Sequence, residues 1–496
     1  MKIKNKILVL ALVLGLLCAC GDLQADAGES DASVPAQAQP ENDLPADTMN
    51  PYTMETQLNQ ELTPLLYDSL VRLDQQYRPE NLVAEQVVVT GNICTIQFKK
   101  YAQFSDGTLL TGEDVIYSLN TAKASDTNGG LALQNVESAA VTQDGNVQIQ
   151  LREPDADFAA LLTFPLIKQG QAAEDYPTGI SKYYVAGTWG NTGITLVANP
   201  LYYGEMGGIQ TIKLVHLPDP DAAAFSLKTG DIALLYSSAG DSQLSSLSTS
   251  SIPVNLNRLV YLGVNGRSGL LAQADFRRAV SAALNRDELV STAYHSKAVG
   301  TFYPIHPYFY RMEGMEHSVP RSLSEAEQLL DGLGYTETDE DGYRLVMGQP
   351  ITLRLLVNND NASRSAAATL IAGQLRQVGI KVEVVSQSFA DYQNTIAQYG
   401  YDLYIGERKL MENMDCSPLL SGGTLSYAAP YDEQLQALYT AYRATGQGLG
   451  DFCEAFLTSE PFIPLLYREG EVSFSHEFQA EIVATEQDIF YNINEW

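Results

Sequence analysis

Residues 351–405 read ITLRLLVNNDNASRSAAATLIAGQLRQVGIKVEVVSQSFADYQNTIAQYGYDLYI. The run ITLRLLV (351–357) reads as a strand, and the stretch after it keeps helical periodicity through Leu375 until Gly379 stops it. IKVEVV is a second strand, Phe389, Tyr392 and Ile396 mark a second helix, and YDLYI is a third strand. Strand, helix, strand, helix, strand implies a parallel sheet with helical crossovers, hence an α/β fold.

Upstream, the helix-rich texture reaches back to Tyr261. Asp275 is expected to cap FRRAVSAALN, and Asp287 to open a second helix ending near Tyr294. Ser322 with Glu325 reads as a capping box before a stripe of Leu323, Ala326, Leu330 and Leu333, which Gly334 ends. Before Tyr261 the chain is richer in strands. Residues 61–73 (ELTPLLYDSLVRL) have helical spacing, QVVVT and CTIQFKK alternate as strands, and residues 141–151 form a hairpin around Asp144-Gly145. ITLVANPLYY and TIKLVHL add strands within 194–217, a helix runs from Asp221 to Gly230, and DIALLY is again a strand. In FSDGTLLTGEDVIYSL (104–119), Asp106-Gly107 is a tight turn and Thr111 with Asp114 a capping box, so these carboxylates read as structural.

The chain start has another character. Lys2, Lys4 and Lys6 precede the apolar run 7–17, and Leu17-Cys18-Ala19-Cys20 looks like a bacterial lipoprotein box, with Cys20 the lipidated residue. The run has 11 residues, and a helix needs about 20 to cross a bilayer, so a secretory signal is expected rather than a span. Residues 21–50 carry seven acidic residues and no Lys or Arg, and read as a flexible tether. Over 496 residues the net charge is −30. That disfavours nucleic acid as a partner, and the length calls for two or three lobes. Cys94, Cys416 and Cys453 read as buried free thiols.

Several segments occur in the order of one family. LLYDSLVRLD, FSDGTLLTGEDVIYSL, NPLYY, SLKTGDIALLY, YLGVN with DFRRAVSAALNRDELV, and GIKVEVVSQSFADYQNTIAQYGYDLYI together resemble the extracellular solute-binding proteins of peptide-type ABC transporters, the oligopeptide, dipeptide and nickel-binding group. The likeness runs from about residue 50 to 474. It implies a two-lobed periplasmic-binding-protein-like α/β fold of type II, with an inserted subdomain and a central ligand cleft. The implied organisation is signal 1–20, tether 21–50, lobe I 51–262 including a subdomain at about 65–185, lobe II 263–457, and a return to lobe I over 458–496. It also implies a lipid-anchored monomer on the outer face of the cytoplasmic membrane, which captures an oligopeptide or dipeptide and hands it to permease subunits. A metal chelate as solute, or a sensing role, is the alternative.

Three departures mark this chain. The family usually opens with a hydrophobic strand, where this chain has NDLPADTMN (42–50). The family's GTGPY is GTWGNTG (187–193) here, which brings in Trp189, and its tryptophan-bearing stretch after the late strand is GERKLMENMDCSPLLSGG (406–423). In peptide-binding members an aspartate of that region accepts the ligand's α-ammonium group. By position Asp415 takes that role, with Glu412 and Glu407 next, Arg408 facing a carboxylate, and Trp189, Tyr303 and Tyr427 lining the pocket. No Gly-x-Ser-x-Gly, His-Glu-x-x-His or phosphate loop occurs, so no enzyme and no cofactor are expected. The histidines at 216, 295, 306, 317 and 476 lack metal-ligand spacing, and TDEDGYRL around Asp339 fits a hairpin turn better than a calcium loop.

Overall fold

The computed structural model describes residues 6–12, 48–54, 57–125, 128–186, 194–217, 220–237, 250–315 and 322–496. Strand Thr352–Asn358 pairs in parallel with Lys381–Gln387 from Thr352↔Lys381 to Asn358↔Gln387, and in parallel with Leu403–Lys409 at Leu355↔Leu403. The parallel unit expected from residues 351–405 is therefore present. Its helices are Ala362–Gln377, capped by Asn361, and Phe389–Ala397, capped by Ser388. They cover opposite faces: Ala367, Ala368, Ile371 and Leu375 enter one core, Tyr392 and Ile396 the other. Strand alternation sorts the sheet likewise, with Leu353, Leu355 and Val357 facing the first core and Leu356 the second.

These strands form one end of an eleven-stranded sheet. At its centre lie the long antiparallel strands Ser250–Val264 and Phe462–Phe474, of 15 and 13 residues. Their C-terminal and N-terminal halves respectively serve the 351–405 side. The other halves reach Leu234–Ser237 and, beyond it, Ile209–His216 and Ile194–Ala198. The pairing register shifts between Asn255 and Leu259 and again between Val260 and Tyr261, so the strands joining the two ends are irregular at mid-length. A separate antiparallel sheet, ordered Ala84–Thr90, Ile93–Phe98, Val147–Leu151, Val136–Val141, carries helix Gly112–Ala124 and its own core.

Within 104–119, Thr111 and Asp114 form the reciprocal capping box, and Gly107 takes φ +85° in the turn. Asp106 Oδ1 accepts from the Thr108 N–H, and its Oδ2 pairs with Lys168 at 2.6 Å. Both carboxylates are tied into the scaffold.

Some local expectations change. The helical reading of 61–73 stops early: the helix is Gln57–Leu66, and Val71–Leu73 is a strand paired with Pro79–Asn81. Asp68 interrupts it, its carboxylate taken by Ser181 and Tyr203. Asp275 is not a cap; helix Ala274–Ala282 starts after Gln273, and Asp275 pairs instead with Arg278. Ser322 accepts from the Glu325 N–H as expected, but Leu323 of the proposed buried stripe is exposed. The strand position that NDLPADTMN could not fill is occupied by Lys6–Leu12, parallel to Ile209–His216 and meeting Leu234 at Leu10. Cys94, Cys416 and Cys453 are buried free thiols. Cys20, residues 21–47, Trp189 and His317 lie outside the described residues.

Candidate functional site

The irregular centre of the two long strands gathers polar groups from remote parts of the chain. Where pairing lapses near residue 257, the Asn257 N–H donates to Glu486 Oε2 (2.8 Å), and Asn257 Nδ2 donates to the carbonyls of Leu410 and Met411. Its Oδ1 is buried without a hydrogen-bond partner. Glu486 also pairs with Lys409, at the end of strand Leu403–Lys409, at 3.3 Å. That carboxylate raises the Lys409 pKa above the ordinary lysine value against the opposing effect of burial.

Facing this ground is the hairpin between Val71–Leu73 and Pro79–Asn81. Asp74 Oδ1 takes the N–H groups of Gln76 and Arg78, which turns the chain and holds Tyr77 at φ +58°. Tyr77 is buried, its hydroxyl has no hydrogen-bond partner, and its ring lies 4.9 Å from that of His306. Burial first, then Glu486, Tyr467 and Glu412, keep the phenol far above its usual pKa.

His306 is fully buried and sits 4.4 Å, ring to ring, from Tyr467. Its Nδ1 accepts the Tyr308 N–H at 3.1 Å, and burial lowers its pKa to about 3, so the ring is neutral with its proton on Nε2. That Nε2 has no partner either. Two unsatisfied donors, Tyr77 O–H and His306 Nε2–H, thus sit on touching rings from different parts of the fold, within the field of the Glu486 and Glu412 carboxylates, and Glu486 in turn holds Asn257, whose Oδ1 is an unsatisfied acceptor. Buried groups left so are costly unless something else satisfies them. Such a set can bind an amide or an ammonium group. It contains no nucleophile held against a base.

Acid should expose the burial of His306. Its folded pKa lies below the unfolded value of about 6.5, so its contribution is present above pH 6.5 and lost as pH falls toward 3. Stability should drop by roughly 1.4 kcal/mol per unit below about pH 6 on its account. Urea unfolding between pH 7 and 5 should show this slope, and His306→Gln should flatten it. An equal slope in both would assign the acid sensitivity elsewhere.

The expected site residues fall on and around this ground. Tyr303 is buried in the aromatic core that also holds Tyr77 and Tyr467, and Tyr427 packs on its edge with its ring 5.9 Å from that of Tyr404. Arg408 lies on strand Leu403–Lys409; burial raises the pKa values of Tyr261 and Tyr427, and the Arg408 charge offsets part of that. Glu407 is buried against Arg468 at 3.5 Å. Asp415 accepts from Tyr439 O–H (2.7 Å) and the Ser417 N–H (2.9 Å) through one oxygen. Burial would raise its pKa, but Arg443 and these hydrogen bonds hold it below the carboxylate range. Tyr77, Asn257, His306, Lys409 and Glu486 were missed by sequence reasoning. Unsatisfied donors carry no sequence signature, and only His306 drew notice, as one of five scattered histidines. A concavity of about 660 Å³ beside Asn285, Arg286, Phe302 and Gln374 contains none of the expected residues.

Residues 77–411 match the model of the bacterial extracellular solute-binding proteins, family 5, middle region. Oligopeptide-binding protein AppA of Bacillus subtilis is 24% identical over 343 residues, 64% of this chain and 63% of its own, so the match spans under two thirds of that relative. The structure of AppA from Bacillus subtilis in complex with a nonapeptide is similar with a TM-score of 0.63 at 18% identity, covering 99% of each chain. That of a nickel ABC transporter protein from Bacillus halodurans has a TM-score of 0.77 at 16% identity, covering 98% of each.

Proposed function

The chain belongs to the bacterial extracellular solute-binding proteins of family 5, and from that membership we propose that it captures peptides outside the cell, closes its lobes over them and delivers them to an ABC permease. The observation that carries this reading is that Tyr77 O–H and His306 Nε2–H, on rings 4.9 Å apart from remote parts of the chain, are buried without partners. A peptide group offers one acceptor and one donor, and satisfies groups of this kind without bringing a charge. Ligand then favours closure because those groups are completed only when both sides touch it. The irregular stretch at 255–259 supports a hinge there, between lobe I and lobe II.

In this reading the ammonium group goes to Glu412 rather than Asp415, since the Asp415 oxygen nearest its neighbours already accepts two hydrogen bonds. Arg408, Tyr427, Tyr303 and, in the loop 187–193, Trp189 remain proposed wall residues. The solute would leave as it entered, without chemistry. Gentle purification followed by mass spectrometry should return intact peptides, and calorimetry with them should give weaker binding for Glu412→Gln and for N-acetylated peptides, the two penalties not adding. Recovery of a metal chelate and no peptide would sink the peptide reading. Among the described residues, no group of three or more His, Cys, Asp or Glu is placed to hold a metal.

Anchoring is proposed through Cys20, with the acidic stretch 21–50 as the tether and the protein acting as a monomer at the outer membrane face. No described helix is long and apolar enough to cross a membrane. Cys20→Ser should abolish partitioning into detergent; unchanged partitioning would refute the anchor. Processing before Cys20 would also remove strand Lys6–Leu12 from its place beside Ile209–His216.

A further inference from the structure

We infer that the loop after strand Val147–Leu151 is a clasp, in which Asp155 and Asp157 of the inserted subdomain are gripped by lobe II and bias the lobes toward closure whether or not solute is present. The loop reads REPDADF (152–158), and it leaves the four-stranded sheet to meet helix Glu433–Thr445. The Ala156 N–H donates to the Arg443 carbonyl at 2.8 Å. Asp155 takes Arg443 Nη2 at 2.8 Å on one oxygen and Asn413 Nδ2 at 2.7 Å on the other. Asp157 takes Arg311 Nε and Tyr310 O–H on one oxygen, both at 2.7 Å, and Tyr442 O–H at 3.4 Å on the other.

All of these side-chain donors come from residues 310–443, while both carboxylates come from the subdomain. Asp157 is 1% exposed and Asp155 6%, with Arg311 at 21% and Arg443 at 12%. These are dry pairs, not surface ones of negligible worth. The arginines are themselves braced: Arg443 Nη1 donates to the Asn413 carbonyl at 2.6 Å, and Arg311 Nη1 to Gly446 at 3.1 Å. Nearby, Tyr310 donates its N–H to the Gln76 carbonyl of the Tyr77 hairpin. The clasp and the Tyr77–His306 contact are therefore made together.

Opening the lobes would hydrate all four charges at once, so the intact clasp moderates the equilibrium and does not lock it. Removing the carboxylate charges changes this, because each arginine then stays unpaired only in the closed form. The same Asn413 that grips Asp155 is adjacent to Glu412. Clasp closure thereby sets the segment that the proposed function assigns to the ammonium group, and that coupling alone rests on the proposed function.

The test uses the full chain without solute, so that it does not depend on what the solute is. Spin labels at Glu85→Cys and Glu433→Cys, both exposed positions on opposite sides of the clasp, report the distance between subdomain and lobe II. The parent protein should show a population at a short distance. Asp155→Asn with Asp157→Asn should shift the population to a longer one, by on the order of a hundredfold in the closed-to-open ratio, with unchanged circular dichroism. Arg311→Gln with Arg443→Gln should do the same from the other side and decides the matter if the Asn pair fails to fold. An unchanged short-distance population in either folded variant, or no short-distance population in the parent protein, overturns the clasp. Failure of the protein to bind peptides would leave these distances as they are and would count against the proposed function alone.

Discussion

Gly263→Ala is expected to destabilise the protein by about 3 kcal/mol or more, at the upper end of overpacking costs. In the pairing of Ser250–Val264 with Leu403–Lys409, Gly263 stands opposite Tyr404 and Gly406 opposite Tyr261. Each tyrosine ring lies over the facing glycine. A β-carbon on Gly263 would sit 1.9 Å from Tyr404 Cε1, and one on Gly406 2.5 Å from Tyr261 Cζ. Neither ring can step aside cheaply, because the two are packed edge to face at 5.9 Å and Tyr404 also touches Tyr392 and Tyr401. Urea unfolding measures the loss, with Gly269→Ala as control, since nothing lies within 4 Å of a β-carbon there. A loss at Gly263 no larger than at Gly269 would show that the ring moves freely. Tyr427 leans on the same ring and hems it in further.

Glu486→Gln should cost about 3 kcal/mol, because it leaves the Lys409 ammonium beside Asn257 without its nearest counter-charge. Glu486 is 7% exposed and Lys409 30%, so water compensates only in part. The substitution keeps an acceptor for the Asn257 N–H, which isolates the charge from the hydrogen bond. Thermal unfolding reads the cost, and restoration of stability in Glu486→Gln with Lys409→Met would attribute it to the pair. If the double variant is as unstable as the single one, the carboxylate acts through Asn257 instead.

Residues 351–405 show what can be read in advance and why. A strand or a helix there is specified by neighbours two to four positions away, through alternation, caps at Asn361 and Ser388, and the glycine stop at Gly379. Local physics of this kind is carried by the order of residues, so the parallel unit, the 104–119 turn and helix, and the hairpin at Gly145 were legible. It failed at 61–73 because Asp68 is claimed by Ser181 and Tyr203, more than a hundred positions away. It failed at Asp275 because a side chain able to cap found Arg278 instead.

The likeness of ordered motifs extended that reading to two lobes and a solute-binding role, and it pointed to the 406–423 segment as the place where this chain departs from its relatives. It could not say what those side chains do. Asp415 turned inward to Tyr439 and Ser417, Glu407 to Arg468, and Asn413 to Asp155. Tyr77, Asn257 and His306 are far apart in the chain, and what singles them out is a polar atom left without a partner, a property that exists only once the backbone has closed around them. Composition and element order are sums over near neighbours and belong to the sequence by itself; which buried donor is left waiting, and which carboxylate is already spoken for, depends on desolvation and distances of a few ångströms that only the tertiary structure decides.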